Sequence, residues 1–156
     1  MSGQLDEMYR EIIMDHFRAP RGKDPIPRAD IKSGGSNPSC GDELEMEVAF
    51  EGDTVQNIHV DCKGCAISVA SGSMLAEIVK GRSIEEAKRI AGLVKAMLKG
   101  EDVEIPKDLE DLDALAGVKQ FPVRIKCALL AWVTFIEGLE DFQRNGHSHG
   151  KTTTVE

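Results

Sequence analysis

LEMEVAFEGDTVQNIHVDC, residues 44–62, decides the fold. Leu44, Met46, Val48 and Phe50 alternate with charged or small residues, Glu51, Gly52 and Asp53 supply turn chemistry, and the alternation resumes from Val55 to Cys62. A period of two sends alternate side chains to one face, so the stretch reads as a β-hairpin with one apolar face. Ile58, Val60 and Cys62 share that face, which makes Cys62 core-facing.

Outward from the hairpin the pattern turns helical. Upstream, Leu5, Met8, Tyr9, Ile12, Ile13, His16 and Phe17 recur at helical spacing, predicting an amphipathic helix over 5–18. Three prolines and Gly22 between Pro20 and Pro27 break it and predict an extended connection, followed by a short strand near Ala29–Lys32. Downstream, Ile67, Ala70, Met74, Leu75 and Ile78 mark a helix over 66–80 capped by Gly81. Ser83 and Glu86 form a capping box for the next helix, which Gly100 ends. An acidic stretch, 101–120, combines a loop with a short helix around 109–115, and Pro122 opens the last helix, carrying Ile125, Leu129, Leu130, Val133 and Ile136. Strands first and helices later predict an α+β fold, a small antiparallel sheet of about three strands with helices packed on one face. Residues 1–142 are expected to form one domain, with 143–156 a flexible polar tail holding His147 and His149.

The 156 residues suit one domain with a core, which 4% aromatic content makes mainly aliphatic. With 27 acidic against 19 basic side chains, the net charge of -8 argues against nucleic acid or anionic lipid as partner and favours protein. The amino end lacks the basic and apolar regions of a signal peptide, and no apolar run approaches the roughly 20 residues of a membrane helix. The expected location is the cytoplasm, with reduced thiols. The acidic run Asp108, Glu110, Asp111 and Asp113 reads as a solvated face or a partner surface.

The four cysteines are Cys40, Cys62, Cys65 and Cys127. In extended chain Cys40 and Asp42 point to the same side, with Gly41 leaving room between them and Gly34 and Gly35 forming a pliable loop upstream. Cys65 precedes a helix, whose free N–H groups and dipole favour thiolate. Cys127 lies beside Lys126 and one turn after Arg124, and these cations favour thiolate too. Three thiolates and one carboxylate meet the four-ligand demand of zinc. By spacing alone, ordinary buried cysteines are an equal reading, since only Cys62 and Cys65 have the short CxxC spacing.

SNPSCGDE at 36–43, GCAIS at 64–68 and FPVRIKCALLAW at 121–132 stand in an order that resembles the U-type iron-sulfur cluster assembly proteins, the IscU and SufU family. The chain is more similar to the SufU subgroup. Lys126 stands where IscU scaffolds carry histidine before the third cysteine, and the segment between the second and third cysteines is longer here. The resemblance implies Zn²⁺ held by Cys40, Asp42, Cys65 and Cys127, and Cys40 as acceptor of persulfide sulfur from a SufS-type cysteine desulfurase, a histidine of which displaces Cys40 from the metal. Downstream cluster assembly proteins then receive the sulfur. Arg124 is a further site residue by this reading, pairing with the partner or stabilising the leaving thiolate. Any enzymatic activity of the chain would be zinc-dependent sulfurtransfer. The alternative is a scaffold on which a [2Fe-2S] cluster or iron sits at the same ligands. Cys62 stands where the family has glycine.

Overall fold

The computed structural model describes residues 3–155 and side chains from residue 7 onward; Met1, Ser2, Glu156 and the side chain of Leu5 lie outside it. The chain forms α1 (Gly3–Arg18), β1 (Ile31–Asn37), β2 (Asp42–Glu51), β3 (Thr54–Lys63), α2 (Ala66–Val79), α3 (Ile84–Leu98), α4 (Leu112–Ala116), α5 (Pro122–Asn145) and β4 (Ser148–Thr154), with 3₁₀ turns on either side of α4. The hairpin, α3 and α5 fall where the sequence predicts them. Ser83 Oγ accepts the Glu86 N–H at 3.1 Å, while the Glu86 carboxylate pairs with Arg89 rather than closing the box.

The sheet has four strands, not about three, in the order β3-β2-β1-β4, with β1–β2 and β2–β3 antiparallel and β1–β4 parallel. The expectation of a flexible tail over 143–156 gives way here. α5 runs on to Asn145, Gly146 ends it at φ 78° with its N–H donated to the Phe142 carbonyl, and the chain returns as β4. Ser148 and Thr153 are buried. Backbone pairing with the open edge of β1 stabilises this strand, so it needs no apolar alternation.

A second correction concerns Gly34 and Gly35, expected as a loop. They belong to β1, which reaches Asn37 instead of stopping at Lys32. α5 crosses so closely that a Cβ on Gly35 would lie 2.3 Å from Thr134 Oγ1 and 3.0 Å from Leu130 Cδ1. Glycine here permits close helix–sheet packing inside a strand.

One face of the sheet, with Ile31, Leu44, Met46, Val48, Ile58 and Val60, is buried under α2 and α5. Trp132 is fully buried, its indole N–H donating at 2.8 Å to Ser71 Oγ, which donates at 2.6 Å to the Ala128 carbonyl. On α1 the inward stripe is Tyr9, Ile12, Ile13 and His16, whereas Met8 and Phe17 stay 50% and 39% exposed. At 100° per residue those two lie about 90° off the stripe's centre.

Candidate metal centre

Three of the four expected ligands meet where the β1–β2 turn approaches the first turns of α2 and α5. Cys40 Sγ, an Asp42 carboxylate oxygen and Cys127 Sγ lie within 4.8 Å of one another. A tetrahedral zinc site places sulfur and oxygen ligands about 3.5–3.8 Å apart, a small adjustment from this group.

Local sequence explains each placement. Asn37 pairs with Asp42 across the β1–β2 ladder, and the intervening turn is closed by the Cys40 and Gly41 N–H groups donating to the Asn37 carbonyl at 3.2 and 3.0 Å. Cys40 therefore converges on Asp42 through a turn, not through an extended strand. Gly41 adopts φ 74°, a conformation that favours glycine. Cys40 is exposed, whereas Asp42 and Cys127 are 1% and 0% exposed.

Cys65 is the N-cap of α2, its Sγ accepting the Ser68 N–H at 3.5 Å, as the sequence implied. Its sulfur lies outside the close group of three, but its backbone N–H donates to Asp42 Oδ1 at 3.0 Å. Gly64 makes this approach possible, since a Cβ there would fall 2.1 Å from the same oxygen. Cys62 packs against the core as expected, and burial pushes its thiol up to about 12, with Asp42 adding to the rise.

The electrostatics are graded. Burial raises the Asp42 carboxyl, but hydrogen bonds from Ser68, the Cys65 N–H, Cys127 and Asn37 outweigh it and hold Asp42 below the usual carboxylate range. Burial also opposes ionisation of Cys65, yet the Ser68 hydroxyl and N–H prevail and lower its pKa. Cys127 departs from expectation. Burial, then Cys40, Asp42 and Cys65, push its thiol far above the ordinary value, so neighbouring cations do not by themselves make it a thiolate. A divalent cation reverses that balance by direct coordination. Arg124, exposed, lies beside the cluster, and Cys127 and then Cys65 raise its pKa.

Two residues that composition and spacing left unmarked also contribute. Asn37 Nδ2 donates to Asp42 Oδ2 at 3.2 Å and Cys127 Sγ at 3.6 Å, and its buried Oδ1 has no partner among the described residues. Ser68 braces Cys65 and Asp42. Both stand inside the quoted motifs. His147 and His149, with ring centroids 5.9 Å apart, belong to no group of potential metal ligands among the described residues.

Fold and site together define a small α+β domain with a cysteine–carboxylate cluster whose donor set suits zinc or iron. The chain belongs to the NifU-like N-terminal domain family, whose pattern it matches over residues 8–127. It is 38% identical over 138 residues to the zinc-dependent sulfurtransferase SufU of Bacillus subtilis, covering 88% of this chain and 93% of that protein. It is 34% identical over 137 residues to the iron-sulfur cluster assembly scaffold protein IscU of Streptococcus pyogenes, covering 88% and 86%. A crystal structure of a candidate SUF-system assembly scaffold from Fervidobacterium islandicum superposes with a TM-score of 0.76 at 30% identity, covering 88% of this chain and 99% of that one. The resemblance stated from the three motifs is borne out, and with it the α+β class. No helix among the described residues is long and apolar enough to cross a membrane.

Proposed function

We propose that this protein serves iron-sulfur cluster assembly as a zinc-bound sulfur acceptor, taking persulfide sulfur from a SufS-type cysteine desulfurase and passing it to downstream assembly proteins. Cys40, Asp42, Cys65 and Cys127 would hold the ion. Bound zinc would keep the buried thiols ionised and shield them from oxidation.

The observation that carries this reading is the contrast in exposure: Cys40 is exposed on a turn while Asp42 and Cys127 are buried. The buried pair would anchor the site, Cys65 is half-buried at the α2 cap, and the exposure of Cys40 supports its meeting a partner's persulfide. Its thiolate attacks the outer sulfur, the S–S bond of the donor breaks, and the electron pair leaves on the desulfurase cysteine as thiolate, leaving a persulfide on Cys40. Arg124 at the rim supports this by offering positive charge to the departing thiolate. The similarity to a named zinc-dependent sulfurtransferase supports the same assignment.

Similarity to IscU scaffolds supports a second reading, cluster building on the same thiolates. Lys126 weighs against it, because an ammonium has no lone pair to complete iron ligation. Desulfurase turnover with and without the chain tests the proposal. Cys40→Ala should abolish stimulation, and undiminished stimulation removes Cys40 from the mechanism. A brown, iron-loaded protein from anaerobic purification would favour the scaffold, a colourless zinc-loaded one the acceptor.

A further inference from the structure

A second cluster of ligating side chains lies away from the thiols. Glu77 follows Cys65 by twelve residues along α2, about 18 Å at the helical rise. There α1, α2 and the residue before α4 bring His16, Glu77 and Asp111 together, with one ligand atom of each within 4.8 Å of the others. His16 Nε2 is 3.5 Å from Asp111 Oδ2 and 3.9 Å from Glu77 Oε1.

The histidine separates this group from an ordinary acidic patch. Its side chain is 2% exposed in the last turn of α1. Nδ1 lies 2.7 Å from Ser73 Oγ, a hydroxyl that also accepts the Arg21 N–H at 2.8 Å. Nε2 has no hydrogen-bond partner among the described residues and faces the two carboxylates. Arg21 Nε donates to Glu77 Oε2 at 3.1 Å, which turns Oε1 towards the ring. A surface cavity of about 260 Å³ opens here, bordered also by Lys107, Asp108 and Glu110.

We propose that His16, Glu77 and Asp111 form a second metal site, for a divalent transition ion of the zinc or ferrous type. One imidazole and two carboxylates are a borderline-to-hard donor set suited to such ions, and it contains no thiolate. Ligand atoms around a tetrahedral ion with bonds of about 2.1 Å are about 3.4 Å apart, close to the observed separations. Glu77 and Asp111 are 46% and 49% exposed, so small side-chain movements close the difference, and all three residues line the cavity, which leaves room for water as a fourth ligand. The site requires the tautomer in which Nδ1–H is donated to the Ser73 hydroxyl, leaving the Nε2 lone pair for the ion. The competing arrangements, an imidazolium paired with both carboxylates or a neutral ring that accepts the Ser73 hydroxyl at Nδ1 and carries its proton on Nε2, bind no metal.

Zinc titration of the metal-depleted full chain, counted by equilibrium dialysis, tests this against E77Q/D111N, whose changes are partly exposed and isosteric. The native chain should bind one zinc more than the variant, and the His16 Nε2 resonance in nitrogen-resolved NMR should shift on zinc addition in the native chain only. Equal counts, or a His16 Nε2 resonance indifferent to zinc, would overturn the proposal. Loss of binding at the cysteines would lower both counts together and leave the difference intact.

Discussion

Asp42 Oδ1 accepts the Cys65 backbone N–H at 3.0 Å, and this bond ties the first residue of β2 to the N-cap of α2. One carboxylate thereby joins sheet and helix while standing among the site's thiols. Asp42→Ala should lower zinc affinity more than tenfold in chelator competition. It should also destabilise the metal-free chain by about 1–3 kcal/mol in urea, because a partly buried N–H loses its acceptor.

Gly64→Ala tests the same link from the helix side. The added Cβ meets the Asp42 carboxylate, not the core. Weakened metal binding is expected together with a urea midpoint lowered as in Asp42→Ala, because the displaced carboxylate no longer accepts the Cys65 N–H. Native affinity and midpoint would show that Asp42 can move aside.

Gly35→Ala affects stability away from the thiols. Its Cβ collides with Thr134 and Leu130 at the β1–α5 crossing, and overpacking of this kind costs about 1–3 kcal/mol. Adding Thr134→Ala removes the nearest atom and should recover part of the lost stability in the same urea titration.

Asp30 links pH to stability. Burial raises its carboxyl, but the Phe50 N–H at 2.8 Å and Arg28 Nη1 at 2.8 Å outweigh burial and hold it below the usual carboxylate range. A depressed folded-state pKa contributes stability that is complete above the unfolded value and disappears as pH falls through the folded one. Urea midpoints should fall on acidification below about pH 4, and Asp30→Asn should flatten that limb.

Removing β4 by ending the chain at Asn145 exposes the β1 edge. Hydrogen exchange should then speed up at β1 amides that face β4, while β2 and β3 keep their protection. Unchanged β1 protection would mean that β4 adds nothing to the sheet.

The hairpin and long helices were legible because their side chains carry the period themselves: Leu44 to Phe50, Val55 to Cys62 and the α3 face from Ile84 to Leu98 each repeat at the spacing of the structure they adopt. β4 was not, because SHGKTTT has no apolar alternation, and only its threonine run hinted at a strand. Gly34 and Gly35 read as a loop because the cause of the glycine at 35 lies nearly a hundred residues away on α5.

The sequence by itself determined the hairpin, the main helices and which cysteines and carboxylate to consider, since each depends on neighbours along the chain. Only tertiary structure decided that Cys127 is buried with its ionisation suppressed, that Cys40 alone is exposed beside it, and that His16 meets Glu77 and Asp111. Burial and ligand geometry arise from elements distant in sequence, and no local pattern encodes the distance between them.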